Sequence, residues 1–366
     1  MHGYDEEVLN NAVLEFSEHK TSLYHEEPPI GQRLLRKNFF SPKYLTPRQY
    51  YFVTTLRKSF AMSFPIFSLL AGFFLSASVE ARSLILPPED IDLVGETVVV
   101  SALHQDTLLD IARRFNVGHD EIVRANPDVD RWLPGEDAQI IIPTRHILPK
   151  TERRGVVINV PEMRLYYYPN VKPKEKKLVV THPVSIGRMD WKTPLGETKI
   201  TQKVKDPAWY PPQSIKDAAK ANGEPIPEIV PPGPDNPLGQ FALRLGITSG
   251  SYLIHGTNRP YGVGMRVTHG CMRMYPEDIE SLFAQINVGT AVQIVNQPIK
   301  AGWLADKLFL EVHSPLDEDE SGKERLLETA LEVIHNTIKD RPVVVSGYAI
   351  KQAVKEQLGI PVMISR

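Results

Sequence analysis

Ile254-His-Gly-Thr-Asn-Arg-Pro-Tyr-Gly-Val-Gly-Met-Arg-Val-Thr-His-Gly-Cys-Met-Arg-Met274 is the stretch on which the reading of this chain turns. It holds Cys271, the one cysteine among 366 residues, with His269 just before it and His255 further upstream. In an exported protein an unpaired thiol is no staple, so it reads as a reactive group. Tyr252 to Ile254 has strand composition and delivers His255 at its end, and a glycine-containing excursion returns through Thr268 to a tight turn at Gly270. Pro276, followed by Glu277 and Asp278, signals a helix soon after. Strand end, loop return and turn can bring imidazole and sulfur together. A thiol near its reference pKa of about 8.5 is only slightly ionised at neutral pH and needs a base. Cys271 is therefore expected to be the nucleophile and His255 the general base, then acid. Backbone N–H groups around Gly270 and Cys271 are placed to receive an oxyanion.

Export is legible further upstream. Arg57-Lys58 precede an apolar run over residues 60–77, and Val79-Glu80-Ala81 offers a signal peptidase its small residues. Cleavage is expected after Ala81; left uncut, the run is just long enough to anchor the chain in the inner membrane with its N-terminus in the cytoplasm. Residues 1–58 are polar and have no secretory character. The net charge of −2 and pI near 6.6 give no electrostatic footprint for nucleic acid.

The exported part divides into three. Residues 97–144 read as a self-contained βααβ unit: β-branched Val98 to Val100, a helix capped by Asp106 with Leu108, Ile111, Ala112 and Phe115 on one face, and Ile140 to Ile142 closing it. Residues 153–297 are mainly β, with strand-like runs and no helical period between them, which predicts an antiparallel sandwich or barrel-like sheet. Within that domain, residues 206–240 carry nine prolines, as a lid or cleft wall does. Residues 298–366 form a small α/β appendage in which Leu308 to Val312 and Val343 to Val345 read as strands and residues 324–338 and 349–358 as helices. Its acidic run from Asp317 reads as a solvated loop.

Two resemblances join these observations. Asp106-Thr-Leu-Leu-Asp-Ile-Ala-Arg-Arg-Phe115, Asn126-Pro127, Leu133-Pro-Gly135 and Ile142-Pro143 resemble the LysM family, which implies binding to N-acetylglucosamine-containing glycan strands. The first strand lacks that family's usual aromatic, and Gln105 replaces its usual glycine. His255-Gly-Thr-Asn258 with Gly264-Met-Arg-Val-Thr-His-Gly-Cys-Met-Arg-Met274 is similar to the signature of L,D-transpeptidase catalytic domains, the YkuD-like family. Gly187 with Thr193-Pro-Leu-Gly196, and Pro231-Pro-Gly-Pro-Asp-Asn-Pro-Leu-Gly239, agree with its periplasmic ErfK/YbiS/YcfS/YnhG-type subgroup.

That likeness implies a β-sandwich with cysteine and histidine in a cleft under a lid, working in the periplasm. It implies attack on the diaminopimelate(3)–D-Ala(4) bond of a tetrapeptide stem and transfer of the acyl group to an amine. The amine is either a diaminopimelate, giving a 3-3 crosslink, or a lysine of an outer-membrane lipoprotein. Two alternatives stay open: a hydrolase or lipoprotein-releasing amidase on the same fold, and a wall-binding scaffold with an inert thiol. His269 is a candidate support for the thiol. Arg273 and Arg266 are candidates for substrate carboxylates, set against a role as solvent-facing arginines. Asn258, Thr268 and Tyr252 are further substrate-site candidates: Asn258 and Tyr252 as cleft lining, with Tyr252 also a packing residue, and Thr268 as a hydrogen-bond support for His255 or a turn cap. His104, His119, His146, His182 and His313 read as ordinary surface or packed histidines. No zinc-type spacing exists, so neither metal nor organic cofactor is expected. Deleting residues 97–144 is expected to weaken binding to the wall while sparing turnover of soluble fragments.

Overall fold

The computed structural model describes residues 82–366 apart from 189, 190 and 317; the expected signal segment 57–81 and the extension ahead of it lie outside the described residues. No helix among the described residues is long and apolar enough to cross a membrane.

The strands are β1 (Arg82–Ile85), β2 (Leu93–Ser101), β3 (Gln139–Ile147), β4 (Gly155–Asn159), β5 (Arg164–Tyr168), β6 (Leu178–Pro183), β7 (Ile186–Gly187), β8 (Gly196–Lys205), β9 (Phe241–Leu245), β10 (Leu253–His255), β11 (Arg266–Thr268), β12 (Met272–Arg273), β13 (Ala291–Val295), β14 (Ile299–Leu304), β15 (Lys307–Val312) and β16 (Val362–Met363). The chain is mainly β, and its central element is a nine-stranded sheet in the order β1-β6-β5-β4-β13-β8-β9-β10-β12. β8 lets this sheet curl. Its first residues pair with β13 and its later ones with β9, with a register shift between Ile200 and Gln202. The two halves then face each other across one apolar core, where Val156, Ile158 and Leu165 meet Leu243, Ile254 and Met272.

Three pairings depart from the antiparallel expectation: β13 runs parallel to β4, β10 to β12 and β11 to β7. Parallel neighbours need a crossover connection. The crossover from β10 to β12 is the 256–271 excursion itself, so the stretch between His255 and Cys271 has a structural task in the sheet.

The helices are α1 (Leu108–Arg114), α2 (His119–Ala125), α3 (Gln213–Ala221), α4 (Pro276–Gln285), α5 (Glu320–Glu324), α6 (Leu326–Ile338) and α7 (Gly347–Glu356). β2, α1, α2 and β3 make the expected βααβ unit around Leu108, Ile111, Ile122, Ile140 and Ile142. The cap of α1 is Thr107, which accepts from the Asp110 N–H in a capping box, and not Asp106. Asp106 instead accepts from the Leu103 N–H and from Arg114.

This unit does not stand apart from the catalytic sheet. The N–H groups at the start of α2 donate to the 256–271 excursion, His119 to Val263 O at 2.8 Å and Asp120 to Gly264 O at 3.2 Å. Arg113 forks onto Glu277 at 2.9 and 3.0 Å, Asn116 donates to the buried Asp278 at 2.6 Å, and Tyr275 OH donates to Val117 O at 3.0 Å. Glu121 receives the buried guanidinium of Arg164 at 2.6 and 2.8 Å. Backbones meet so closely that a Cβ on Gly264, which has φ +86°, would lie 2.4 Å from the Gly118 Cα.

The C-terminal appendage packs α6 and α7 on β14, β15 and β16. Val343 to Val345 makes only a bridge, Val345 to Ser365, where a strand was expected. The acidic run folds partly into the short α5, capped by Asp319. Lys300 and Glu311 of this part are wholly buried against Glu162, with the Lys300 ammonium 2.8 Å from each carboxylate. His146 and His313 close the cluster, His313 at 2.6 Å from Glu311.

Candidate active site

Ile254, Met272 and Met274 point into the core, and alternation along a strand places Leu253, His255 and Arg273 on the opposite face. The register pairs Ile254 with Met272 and His255 with Arg273. Cys271, one residue ahead of β12, therefore lies diagonally from His255 on the same face, a separation of roughly 7–8 Å between backbones that side chains can bridge. Cys271 leads into this short strand rather than directly into a helix, and α4 begins only at Pro276.

The turn before the cysteine requires glycine. Gly270 has φ +93°, and a Cβ there would stand 2.8 Å from the Tyr252 ring and 3.2 Å from the Lys192 carbonyl. Thr268 closes the turn by donating to the Cys271 carbonyl at 2.6 Å. Buried Thr193 ties in the upstream motif: it accepts from the Gly187 N–H at 3.0 Å and donates to the Gly270 carbonyl at 3.2 Å. Neither the Gly270 nor the Cys271 backbone N–H has an acceptor among the described residues. Both donors are open to an incoming oxyanion.

His255 is 5% exposed, and its Nδ1 lies 2.6 Å from the Gly256 carbonyl. A carbonyl only accepts, so Nδ1 carries the proton and Nε2 keeps its lone pair. Burial, helped by the Arg273 charge, pushes the imidazole down to about 3, against the pull of the Gly256 and Leu238 backbone. Leu238 is the foot of the proline-rich segment. Asn236, fully buried, fixes that foot by donating to the Pro207, Val230 and Pro231 carbonyls and accepting from the Leu238 N–H. Next to it, Gly239 abuts the Thr257 N–H so closely that a Cβ would come within 2.8 Å.

The Cys271 thiol is raised by burial, opposed by the Leu253 backbone and the Arg273 charge. It donates to the Ser251 carbonyl at 3.8 Å and makes no hydrogen bond to His255. At rest the site holds a neutral thiol and a neutral imidazole with no hydrogen bond between them.

Other expected residues fall into two groups. Tyr252, Thr268 and Arg273 surround the Cys271 turn, and His269 lies over the Trp191 ring at 4.9 Å between centroids. Burial, with Arg188 and Arg273, lowers the His269 imidazole. The Arg266 guanidinium reaches the Ser314 and Pro315 carbonyls at 3.4 and 3.3 Å, joining the C-terminal segment to β11. Asn258 is exposed on the excursion. Trp191, Arg188 and the Leu238 carbonyl were not anticipated, because they come from segments far from the cysteine in sequence.

The histidines read as ordinary divide likewise. His182 is buried 3.1 Å from Asp278, and His146 joins Glu162 and Glu311 in a buried group whose ligand atoms all lie within 4.8 Å of one another. Dispersed sequence positions concealed that cluster. The Lys300 ammonium takes the cation's place in it.

The geometry can be set beside known proteins. Residues 153–294 match the model of the YkuD L,D-transpeptidase catalytic domain. The chain is 36% identical over 315 residues to the probable L,D-transpeptidase YcfS of Escherichia coli K12, covering 85% of this chain and 97% of that protein. The chain belongs to the L,D-transpeptidase family. The probable L,D-transpeptidase ErfK/SrfK of Salmonella typhimurium LT2 is 37% identical over 310 residues, with 82% of this chain and 96% of that protein aligned. The crystal structure of L,D-transpeptidase 3 from Mycobacterium tuberculosis superposes loosely, at a TM-score of 0.27 and 16% identity over 60% of this chain and 99% of that one. Membership rests on the sequence matches, and it assigns the chain to acyl-transferring enzymes.

Proposed function

We propose that Cys271 and His255 carry out L,D-transpeptidation on peptidoglycan stem peptides in the periplasm. The observation that carries this reading is the parallel register of β10 and β12, which sets imidazole and sulfur on one face beside two unused backbone donors. On substrate binding the sulfur turns toward His255 Nε2 and gives up its proton as it attacks the carbonyl of the L-centre of diaminopimelate at position three. The Gly270 and Cys271 N–H groups receive the oxyanion. His255 returns the proton to the departing D-alanine amine, leaving a thioester. It then takes a proton from the acceptor amine, which attacks the thioester and releases the thiol.

The acceptor we favour is a lysine of an outer-membrane lipoprotein, with a second diaminopimelate as the other candidate amine. The βααβ unit is proposed to hold glycan strands, and segment 57–81 to direct export. Incubation with tetrapeptide muropeptides and an amine acceptor, with products weighed by mass spectrometry, tests the reaction. D-alanine release together with an amine-joined product is expected. Release without a joined product would make the enzyme a hydrolase. Cys271→Ala should abolish turnover with the fold intact, and His255→Ala should lower it by about 100- to 10,000-fold.

A further inference from the structure

Several arginines of this chain find carboxylates: Arg113 meets Glu277, Arg153 meets Asp92 and the buried Arg164 meets Glu121. Two arginines beside the catalytic turn do not. Arg188 and Arg273 form no ion pair among the described residues, and the Nε of each is closed to solvent without an acceptor. They are brought together by the backbone. Arg273 exchanges hydrogen bonds with Ser185 at 2.8 and 3.1 Å, and on the strand that continues from Ser185 the Arg188 N–H donates to the Thr268 carbonyl at 3.1 Å. Between these two anchors lie His269, Gly270 and Cys271. Both guanidinium charges act on His269, and exposed Arg259 adds a third positive charge close to Arg273.

A guanidinium Nε closed to solvent without an acceptor is unfavourable, and the anion that relieves it best is a planar carboxylate accepting from Nε and Nη together. We propose that Arg188 and Arg273 form a receptor for a free carboxylate of the substrate, so that the enzyme selects stems bearing carboxylates over stems whose carboxylates are amidated. The inference rests on the transpeptidase reading for its substrate. A tetrapeptide stem presents two suitable groups near the scissile bond, the D-centre carboxylate of diaminopimelate and the terminal carboxylate of D-alanine. With Arg273 opposite His255 and Arg188 across the turn, one carboxylate held there fixes the reacting carbonyl over Cys271. Arg188 is a positioning residue in this account, placed by a segment remote in sequence from the thiol.

Two measurements test the receptor. The first needs no peptidoglycan: Cys271 is alkylated by iodoacetate, an anion, or by iodoacetamide, its neutral counterpart, each displacing iodide from carbon with sulfur. The iodoacetate-to-iodoacetamide rate ratio should be about 3- to 10-fold higher in the native enzyme than in Arg188→Gln at low salt, and the excess should vanish in molar salt. Arg188→Lys should keep most of it, and melting curves establish that each variant is folded. An equal ratio in native enzyme and Arg188→Gln overturns the proposal. In the second measurement, stems amidated at the D-centre or at the terminal carboxylate identify the group held. The kcat/KM preference for the free carboxylate, expected at about 10- to 100-fold and mainly in KM, should collapse in Arg188→Gln and return only partly in Arg188→Lys. Equal handling of all stems by the native enzyme also overturns it. Absence of D-alanine release from every stem, with the alkylation preference intact, would sink the transpeptidase reading and leave the anion receptor standing.

Discussion

Removing residues 97–144 is the perturbation on which sequence and structure disagree most sharply. As a self-contained unit its loss would spare the catalytic sheet, but the interface described above predicts otherwise. Deletion takes Glu121 from Arg164, whose side chain is 1% exposed, and takes Asn116 from Asp278 and Arg113 from Glu277. It also removes the Val117 carbonyl from the Tyr275 hydroxyl. Orphaning a buried charge costs about 3–5 kcal/mol, and leaving a buried polar group unsatisfied about 1–3 kcal/mol. Water reaching the uncovered face offsets part of this, so the low end, about 5 kcal/mol in total, is the working figure. That is a large fraction of the roughly 5–15 kcal/mol that stabilises a native protein, and at about 2–4 °C per kcal/mol it lowers the melting temperature by about 10–20 °C. The excursion bearing Val263 and Gly264 also loses its clamp, so D-alanine release from soluble muropeptides should fall at least about tenfold through misplaced reacting groups. Scanning calorimetry and D-alanine release on the purified deletion variant provide the assay, with the full-length double variant Arg113→Ala/Asn116→Ala as a milder probe of the same interface. A deletion variant that melts within about 3 °C of the parent and turns over soluble fragments at the parent rate would refute this reasoning.

Other consequences are simpler to state. His255 and His313 are both held neutral down to about 3 by burial. Between that value and the ordinary 6.5 the unfolded chain binds more protons, so their stabilisation is complete above pH 6.5 and is lost as pH falls, at about 1.4 kcal/mol per unit for each ring. Melting temperature should drop steadily from pH 6.5 to 4.5, and less steeply in His313→Gln; equal slopes would contradict the assignment. Lys300→Met leaves Glu162 and Glu311 facing each other in the interior, which should destabilise the protein by about 3–5 kcal/mol at pH 7 and by less at pH 5, where a carboxylate can take up a proton. A deficit independent of pH would refute that cause. Asn236→Ala frees the foot of the proline-rich segment, whose Leu238 backbone reaches His255; protease cleavage within 206–240 should quicken and KM should rise, and unchanged cleavage would show that the segment is held by other contacts.

How much of this was legible in the sequence depends on distance along the chain. Cys271, its turn, the β-strand ahead of it and the helix at Pro276 sit in one continuous stretch, where glycine, proline and strand composition all point one way. Gly187 and Thr193 were recognisable only as a recurring companion motif; the structure supplies the reason, a threonine joining two glycine turns. Parallel pairing of β10 with β12 was not legible, since period-two alternation says nothing of a neighbour's direction. Arg266 is near Cys271 in sequence, whereas Arg188, far away, is joined by its backbone to Thr268 of the same turn. The Lys300 cluster draws on β3, β5 with its preceding turn, and β14 with β15. Composition alone marks each of those charges as a surface residue, because what buries them is a meeting of three segments.

The resting site holds its proton on sulfur, and that is consistent with catalysis. Burial raises the thiol and lowers the imidazole, so the separated ion pair is disfavoured until a substrate carbonyl is present. Attack moves the negative charge from sulfur to an oxygen facing the Gly270 and Cys271 donors, and the imidazolium formed in the same step still donates from Nδ1 to Gly256. Charge therefore appears only where dipoles are waiting for it. For a solitary thiol the neutral form is also protective, since oxidation follows thiolate character. It follows that slow labelling of Cys271 by a neutral alkylating agent near pH 7 does not mark the residue as inert. The discriminating measurement is acylation by a stem peptide: a thioester mass on Cys271 from a chain that iodoacetamide modifies slowly is the outcome this electrostatic arrangement requires, and absence of that adduct under turnover conditions would leave the thiol without a catalytic role.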